Sequence, residues 1–237
     1  MFRLQPLLRF PKLYAFLALK RRNPNFEKVL YLRQIKWGST VFDVGANLGY
    51  YTLLFSKLTG PKGCVHAFEP VPRTYDKLQK NTQACKNLKL SNFAAGERRT
   101  KSEICYDSKD LGKASLCTSP QKSESSNIVE VVPLDDYVEE LDLSRLDFVK
   151  CDVEGYELHA MRGMEKTLQR FRPQLSLEVS LTLDDKKALL SFLQDIGYDT
   201  FRKVEKGFPA YEGSPKNHSS DYFYLHAFSS KVTQNSS

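Results

Sequence analysis

The stretch Val41-Phe42-Asp43-Val44-Gly45-Ala46-Asn47-Leu48-Gly49-Tyr50-Tyr51-Thr52, followed by His66-Ala67-Phe68-Glu69-Pro70, constrains the fold more than any other part of the chain. An apolar run ends in an acid, turns tightly on glycine and enters an apolar helical pattern. A second apolar run ends in another acid twenty residues after Gly49. That order is strand, turn, helix, strand, with a carboxylate at the tip of each strand. In an open parallel sheet, such tips are where a ligand binds.

The charges in the turn narrow the ligand. A dinucleotide fingerprint reads G-x-G-x-x-G and turns bare backbone N–H groups toward a pyrophosphate. Here the glycines are Gly45 and Gly49, three residues lie between them, and Asp43 stands just before. An aspartate there repels a pyrophosphate and suits a cofactor carrying an ammonium and a sulfonium. Glu69 is placed to accept both ribose hydroxyls, as an acid at the second strand end does in nucleoside sites. The cofactor this points to is S-adenosylmethionine. The competing readings are an ordinary glycine turn with two solvated acids, and a nicotinamide site, which the position of Asp43 opposes.

The rest of the 237 residues read as one domain. Residues 1–25 are a basic leader. Residues 26–228 form the domain, and 229–237 are a polar tail. The net charge is +7, and Arg3, Arg9, Lys12, Lys20, Arg21 and Arg22 concentrate part of it at the start. A solvated leader is the preferred reading. Weak membrane-surface contact through residues 1–22 is the alternative, and no nucleic-acid signature accompanies the charge. The apolar run Leu13–Leu19 is too short to span a bilayer.

The five cysteines (Cys64, Cys85, Cys105, Cys117 and Cys151) are scattered and lack C-x-x-C spacing. That argues against a zinc site and a disulfide framework, and for a reduced, cytoplasmic protein. Cys105 and Cys117 are near enough to meet in one excursion of the chain, but the expectation is that they do not bond.

Helix–strand alternation predicts helices over 26–36, 49–58, 73–86, 156–171 and 183–195. It predicts strands over 40–44, 64–68, 88–93, 146–151, 174–179, 198–204 and 221–228. Asp135 or Asp136 is placed to cap a helix that starts near Pro133, and Gly197 to end the helix at 195. Residues 97–133 break the alternation. They read as an insertion with strand-like pieces at 102–106 and 128–132 and a mobile loop from Ser108 to Asn127. Such an insertion is either a lid or substrate wall, or a variable surface loop.

A second block, Lys150-Cys151-Asp152-Val153-Glu154-Gly155-Tyr156-Glu157, follows the fourth strand. Asp152 and Glu154 then face the same crevice as Asp43 and Glu69, and Glu178 at the end of the fifth strand joins them. Clustered carboxylates have three jobs open to them. They can take the proton of an attacking hydroxyl, hold a divalent cation, or bind a cofactor ammonium. The structural alternative is capping the following helix. His159, two residues after Glu157, is either a second base or a surface histidine.

Together these blocks resemble the FkbM family of S-adenosylmethionine-dependent methyltransferases. The matching pieces are Phe42–Thr52, Ala67–Pro70, Leu134–Asp136 and Asp147–Glu157, and the resemblance covers about residues 38–200. It implies a class I methyltransferase fold: an α/β, Rossmann-like, open seven-stranded, mostly parallel sheet with helices on both faces. It also implies methyl transfer to oxygen, with acceptors among sugars, glycolipids and glycosylated natural products. On this resemblance Asp43, Gly45, Asn47, Gly49 and Glu69 match cofactor positions. Asn92, at the end of the third strand, is added to them as an expectation. Asp152, Glu154 and Glu157 match the second block; Asp152, Glu154 and Glu178 are the expected catalytic acids, and a divalent cation is left undecided. The alternative function is a catalytically silent binding protein on the same fold, held at a membrane by its leader.

Overall fold

The computed structural model describes residues 25–106, 114–116, 125–179, 182–204 and 223–228. The basic leader before Asn25, most of the expected Ser108–Asn127 loop and the tail after Phe228 lie outside them.

A parallel sheet forms the centre. Its strands are β1 (Thr40–Val44), β2 (Cys64–Phe68), β3 (Leu88–Ser91), β8 (Phe148–Cys151) and β9 (Gln174–Val179), in the order β9-β8-β1-β2-β3. Beyond β9 the sheet continues antiparallel through β11 (Phe223–Phe228) and β10 (Thr200–Lys203). β1 pairs with β2 from Thr40↔Cys64 to Val44↔Phe68, and with β8 from Val41↔Phe148 to Val44↔Cys151. A strand flanked on both sides and covered on both faces must be apolar along its whole length. That is why β1, β2 and β8 read as short, mostly apolar runs rather than alternating ones, with Asp43, His66 and Lys150 as the buried exceptions.

Successive side chains point to opposite faces, so the strands divide two cores. Phe42, Val44, Val149, Cys151, Leu175 and Leu177 face one way. They pack on α4 (Leu134–Glu140), α5 (Glu157–Arg162), α6 (Glu165–Phe171) and α7 (Leu183–Asp195). Val41, Val65 and Phe148 face the other way. They meet α1 (Phe26–Gln34) and α2 (Tyr50–Thr59) through Leu30, Tyr31, Leu54 and Phe55. The helix α3 (Pro72–Thr82) begins on a proline, whose missing N–H costs nothing at a helix start. Gly197 follows the last turn of α7 at φ +94°, a left-handed stop that glycine makes without strain.

Three local expectations are corrected. First, the helix expected over 156–171 is two helices, α5 and α6, broken at Gly163. A side chain on Gly163 would run into the carbonyl oxygen of Gly96. The residue is glycine because another stretch of backbone crosses the helix there. Second, Asp135 caps a different helix from the one expected. Its Oδ1 accepts from Thr167 N (2.8 Å) and Thr167 Oγ1 (2.6 Å), and its Oδ2 accepts from Lys166 N (3.0 Å). It therefore satisfies the first turn of α6, thirty-odd residues away.

Third, the strand-like pieces at 102–106 and 128–132 are borne out as parts of a second sheet, and that sheet also takes residues 114–116 and 125–127 from the expected loop. β5 (Thr100–Tyr106) and β7 (Ser125–Val132) pair antiparallel from Thr100↔Val131 to Tyr106↔Ser125. β6 (Ala114–Leu116) pairs with β5, and β4 (Ala94–Ala95) runs parallel to β7. Among the described residues of this sheet Ala94, Ala95, Ile104, Val129, Val131 and Val132 are buried, and Ala94, Ile104, Val129 and Val131 cluster with Val71. Its exposed residues include Lys101, Glu103, Ser126 and Glu130. Cys105 on β5 is disulfide-bonded, which overturns the expectation of fully reduced cysteines. Cys117 lies outside the described residues, and Cys64, Cys85 and Cys151 are free. Among the described residues no helix is long and apolar enough to cross a membrane.

Gly163→Ala is expected to cost about 1–3 kcal/mol, the range for forcing atoms into a filled contact. The urea midpoint measures it, and an unchanged midpoint would show that the α5–α6 break does not depend on the close approach.

Candidate active site

The cleft opens at the carboxyl ends of β1, β2 and β8. Gly45, at φ +77°, ends β1, and a side chain on it would overlap the carbonyl oxygen of Asp152. Its N–H and that of Ala46 both reach the Phe68 carbonyl at 3.0 Å, and Asp152 N donates to Val44 O at 3.0 Å. The tips of three strands are thus tied together at one point. Asn47 follows at φ +50°, and Gly49 at φ +87° opens α2. A Cβ on Gly49 would come within 2.7 Å of Leu78, so the second glycine lets α2 sit close on α3.

The cleft is lined by Gly45, Asn47, Glu69, Asp152, Glu154 and Tyr156, and closed by Phe68, Phe93, Ala94, Ala95, Ile104 and Val153, among others. Among the described residues three of the lining residues are acids, and none is Lys, Arg or His. Glu69 is buried. Its Oε2 accepts from Asn47 N (2.9 Å) and its Oε1 from Val71 N (3.0 Å), leaving one lone-pair direction on each oxygen. Glu154 stands at φ +51° and Gly155 at φ +99° in the turn after β8. A non-glycine residue in that region is strained, and such strain concentrates at functional sites.

The expected site residues separate into layers. Gly45, Asn47, Glu69, Asp152 and Glu154 reach the cleft wall. Asp43 does not: it is fully buried beneath the wall. Its Oδ2 accepts from Thr52 Oγ1 at 2.6 Å, and its Oδ1 is 3.9 Å from Lys150 Nζ. Lys150 in turn bonds Asp152 Oδ2 at 3.0 Å. Asn92 serves the wall from behind, with its Nδ2 donating to the carbonyls of Glu69 (2.8 Å) and Pro70 (3.0 Å). Glu178 lies opposite Tyr224 on β9 and is absent from the cleft lining. Glu157 is buried under the turn, where its Oε1 accepts from Gly155 N at 2.9 Å. His159 stacks on Tyr156 with ring centroids 4.5 Å apart, and its Nδ1 lies 3.3 Å from Glu97 Oε2.

A sequence model described as the methyltransferase FkbM domain matches residues 43–200. The chain belongs to the FkbM methyltransferase family. Among curated relatives, it is 29% identical over 140 residues to a protein of Haloferax volcanii named hexuronic acid methyltransferase AglP. That alignment takes in 59% of this chain and 56% of the relative, so the chain spans little more than half of that protein's length. Among solved structures, the methyltransferase FkbM of Methylobacillus flagellatus superposes with a TM-score of 0.53 at 17% identity, over 94% of this chain and 60% of that one. Fibrillarin of Aeropyrum pernix, in complex with natively bound S-adenosyl-L-methionine, gives 0.52 at 14% identity, over 91% and 74%. At those identities the likeness is one of fold: both are class I methyltransferase architectures.

Sequence reasoning missed three residues of this FkbM-family site. Lys150 is hidden as a polar residue inside a strand, although a lysine in an otherwise apolar run is itself a signal. Phe93 lies just before β4 and Ile104 on β5, and neither carries a motif.

Burial sets the proton affinities of the acids. It raises Glu69 from 4.5 to about 7, against donation from the Val71 and Asn47 N–H groups. It raises Glu157 from 4.5 to about 7, against backbone donors led by Gly155. It raises Asp43 from 3.8 to about 6, against Lys150 and Thr52. A carboxyl raised in the fold favours folding while protonated. Its contribution is full below the unfolded value and is lost as pH rises through the folded value. Glu157 therefore makes the ligand-free protein lose stability between about pH 4.5 and 7. Glu157→Gln is expected to flatten that decline, by at most about 3 kcal/mol. Denaturant midpoints at pH 5 and 8 measure it, and identical slopes for the two proteins would refute it.

Proposed function

We propose that the protein is an S-adenosylmethionine-dependent O-methyltransferase acting on a hydroxyl of a saccharide or glycosylated metabolite. The observation that carries this reading is the charge of the cleft wall. Among the described residues Glu69, Asp152 and Glu154 line it and no Lys, Arg or His does, Lys150 pairing with Asp152 from beneath the wall. Such a wall opposes a pyrophosphate and suits a ligand bearing a sulfonium and an ammonium. The cleft's position at the carboxyl ends of β1, β2 and β8 supports the same cofactor. So does the family to which residues 43–200 belong.

Glu69, fixed by two backbone donors, would take the ribose hydroxyls, and Asn47 and Gly45 would meet the cofactor through backbone at the strand tip. The bound cofactor supplies an electrophilic methyl group. What remains for the chain is alignment of the acceptor, which accounts for much of the acceleration in such a transfer, and removal of the hydroxyl proton. Glu154 is the carboxylate we assign to that proton. The saccharide acceptor is supported by the relative named for hexuronic acid. Among the described residues no group of three or more His, Cys, Asp or Glu is placed to hold a metal ion, so no step is assigned to one. The catalytically silent alternative has no observation in its favour.

The deciding experiment is calorimetric titration with S-adenosylmethionine and S-adenosylhomocysteine, with and without magnesium, followed by an acceptor screen that starts with hexuronic acids and their glycosides. Micromolar binding and methyl transfer to oxygen are expected. Folded protein that binds neither ligand would overturn the assignment. Glu154→Gln is expected to weaken cofactor affinity by no more than ~3-fold and to lower turnover ~100-fold, the scale of general-base loss. Unchanged turnover would remove Glu154 from the chemistry.

A further inference from the structure

We propose that Lys150 is a positioning residue: it fixes the Asp152 carboxylate in the cleft wall as the anchor for the ammonium group of the bound cofactor. The inference rests on the cofactor assignment above and adds a residue and a task to it.

Lys150 is 3% exposed, and its side chain lies on the face of β8 that also carries Phe148, under α1 and α2. Its Nζ is 3.0 Å from Asp152 Oδ2, 3.9 Å from Asp43 Oδ1 and 5.5 Å from the ring centroid of Tyr51. The attraction of Asp152, Asp43 and Glu27 outweighs burial and keeps the ammonium charged. Tyr51 links this group to α1 by donating its hydroxyl to Glu27, and Tyr31 donates to the same carboxylate.

Burying a lysine here is poor design for stability alone. The desolvation of an ion pair commonly equals or exceeds its attraction, and an apolar residue of similar size packs as well or better. The arrangement is explained by what Lys150 touches. Asp152 is 26% exposed and lies at the boundary between core and cleft. Lys150 holds its Oδ2 from below, which leaves Oδ1 as the oxygen not engaged by the lysine. A carboxylate so fixed meets a cation without paying to be ordered.

The local charge also has the right sign. One ammonium between the carboxylates of Asp43 and Asp152 leaves the group one negative charge in excess. It thus favours a cation in the cleft although it contains one. This gives Asp43 a task consistent with its burial. It holds the lysine, and so acts on the ligand at two removes.

The test compares two nucleoside thioethers on the full chain by calorimetry. S-adenosylhomocysteine carries the ammonium, and 5′-methylthioadenosine has the same nucleoside without the amino-acid end. Lys150→Met is expected to weaken S-adenosylhomocysteine ~10-fold or more, the scale of a lost charge-assisted hydrogen bond. Its affinity for 5′-methylthioadenosine should stay within ~3-fold of wild type. Asp152→Asn should give the same pattern, and combining the two substitutions should add little further loss. If Lys150→Met does not fold, Lys150→Met with Glu27→Gln removes one buried charge of each sign and takes its place. Equal weakening of both ligands would make Lys150 a merely structural residue and overturn the proposal. So would unchanged affinity for S-adenosylhomocysteine. Wild-type protein that binds neither nucleoside would overturn the cofactor assignment itself, an outcome distinct from the other two.

Discussion

The contact between Gly45 and the backbone of Asp152 is the constraint on which the rest depends. The chain leaves β1 so close to the end of β8 that no side chain fits between them. Two further hydrogen bonds from Gly45 and Ala46 to Phe68 bring in β2. Three strand ends therefore share a common edge, and the residues just beyond them, Asn47, Glu69 and Asp152, are placed in the cleft by backbone geometry. The precision of the site follows from the rigidity of the sheet, with little required of the side chains themselves.

Beneath that edge the protein buries an uncommon amount of polarity. Glu27, Asp43, Thr52, Lys150 and Ser176 are all buried, on the face of the sheet covered by α1 and α2. Each such group is costly unless it is paired. The pairs are present: Thr52 with Asp43, Lys150 with Asp152, and Tyr31 with Glu27 and Ser176. Asp43 Oδ1 has no hydrogen bond, only the longer electrostatic contact with Lys150. A domain selected for stability alone would fill this layer with leucine. Its polarity couples α1, which precedes the matched residues 43–200, to the cleft.

How much of this was legible follows from how local each signal is. β1 and β2 were readable to the residue because a central parallel strand is a bounded apolar run. The first glycine turn was readable because its whole chemistry lies within ten residues. The break at Gly163 was not, because its cause is the backbone of Gly96, distant in sequence. The true cap role of Asp135 is hidden for the same reason, since the N–H groups it satisfies belong to residues 166 and 167. Asp43 reads as a ligand contact because strand-tip acids usually are. Sequence alternation does not show that a fully buried face of the sheet lies under that tip.

The same distinction divides the cleft into halves of different chemistry. The strand-tip half is acidic and is specified by two contiguous motifs. The opposite half is apolar, assembled from Phe93, Ala94 and Ala95 at one place in the chain and Ile104 at another, with Tyr156 at the seam. Apolar wall residues define a shape and carry no motif; on the function proposed above they would change with the acceptor while the acidic half stays fixed by the cofactor. The second sheet is built for such change. Its hairpin rests on a small separate core of Val71, Ala94, Ile104, Val129 and Val131. Substitution there need not disturb the packing of the parallel sheet, so on the proposed function selectivity for the acceptor would shift at little cost to the residues assigned to the methyl donor.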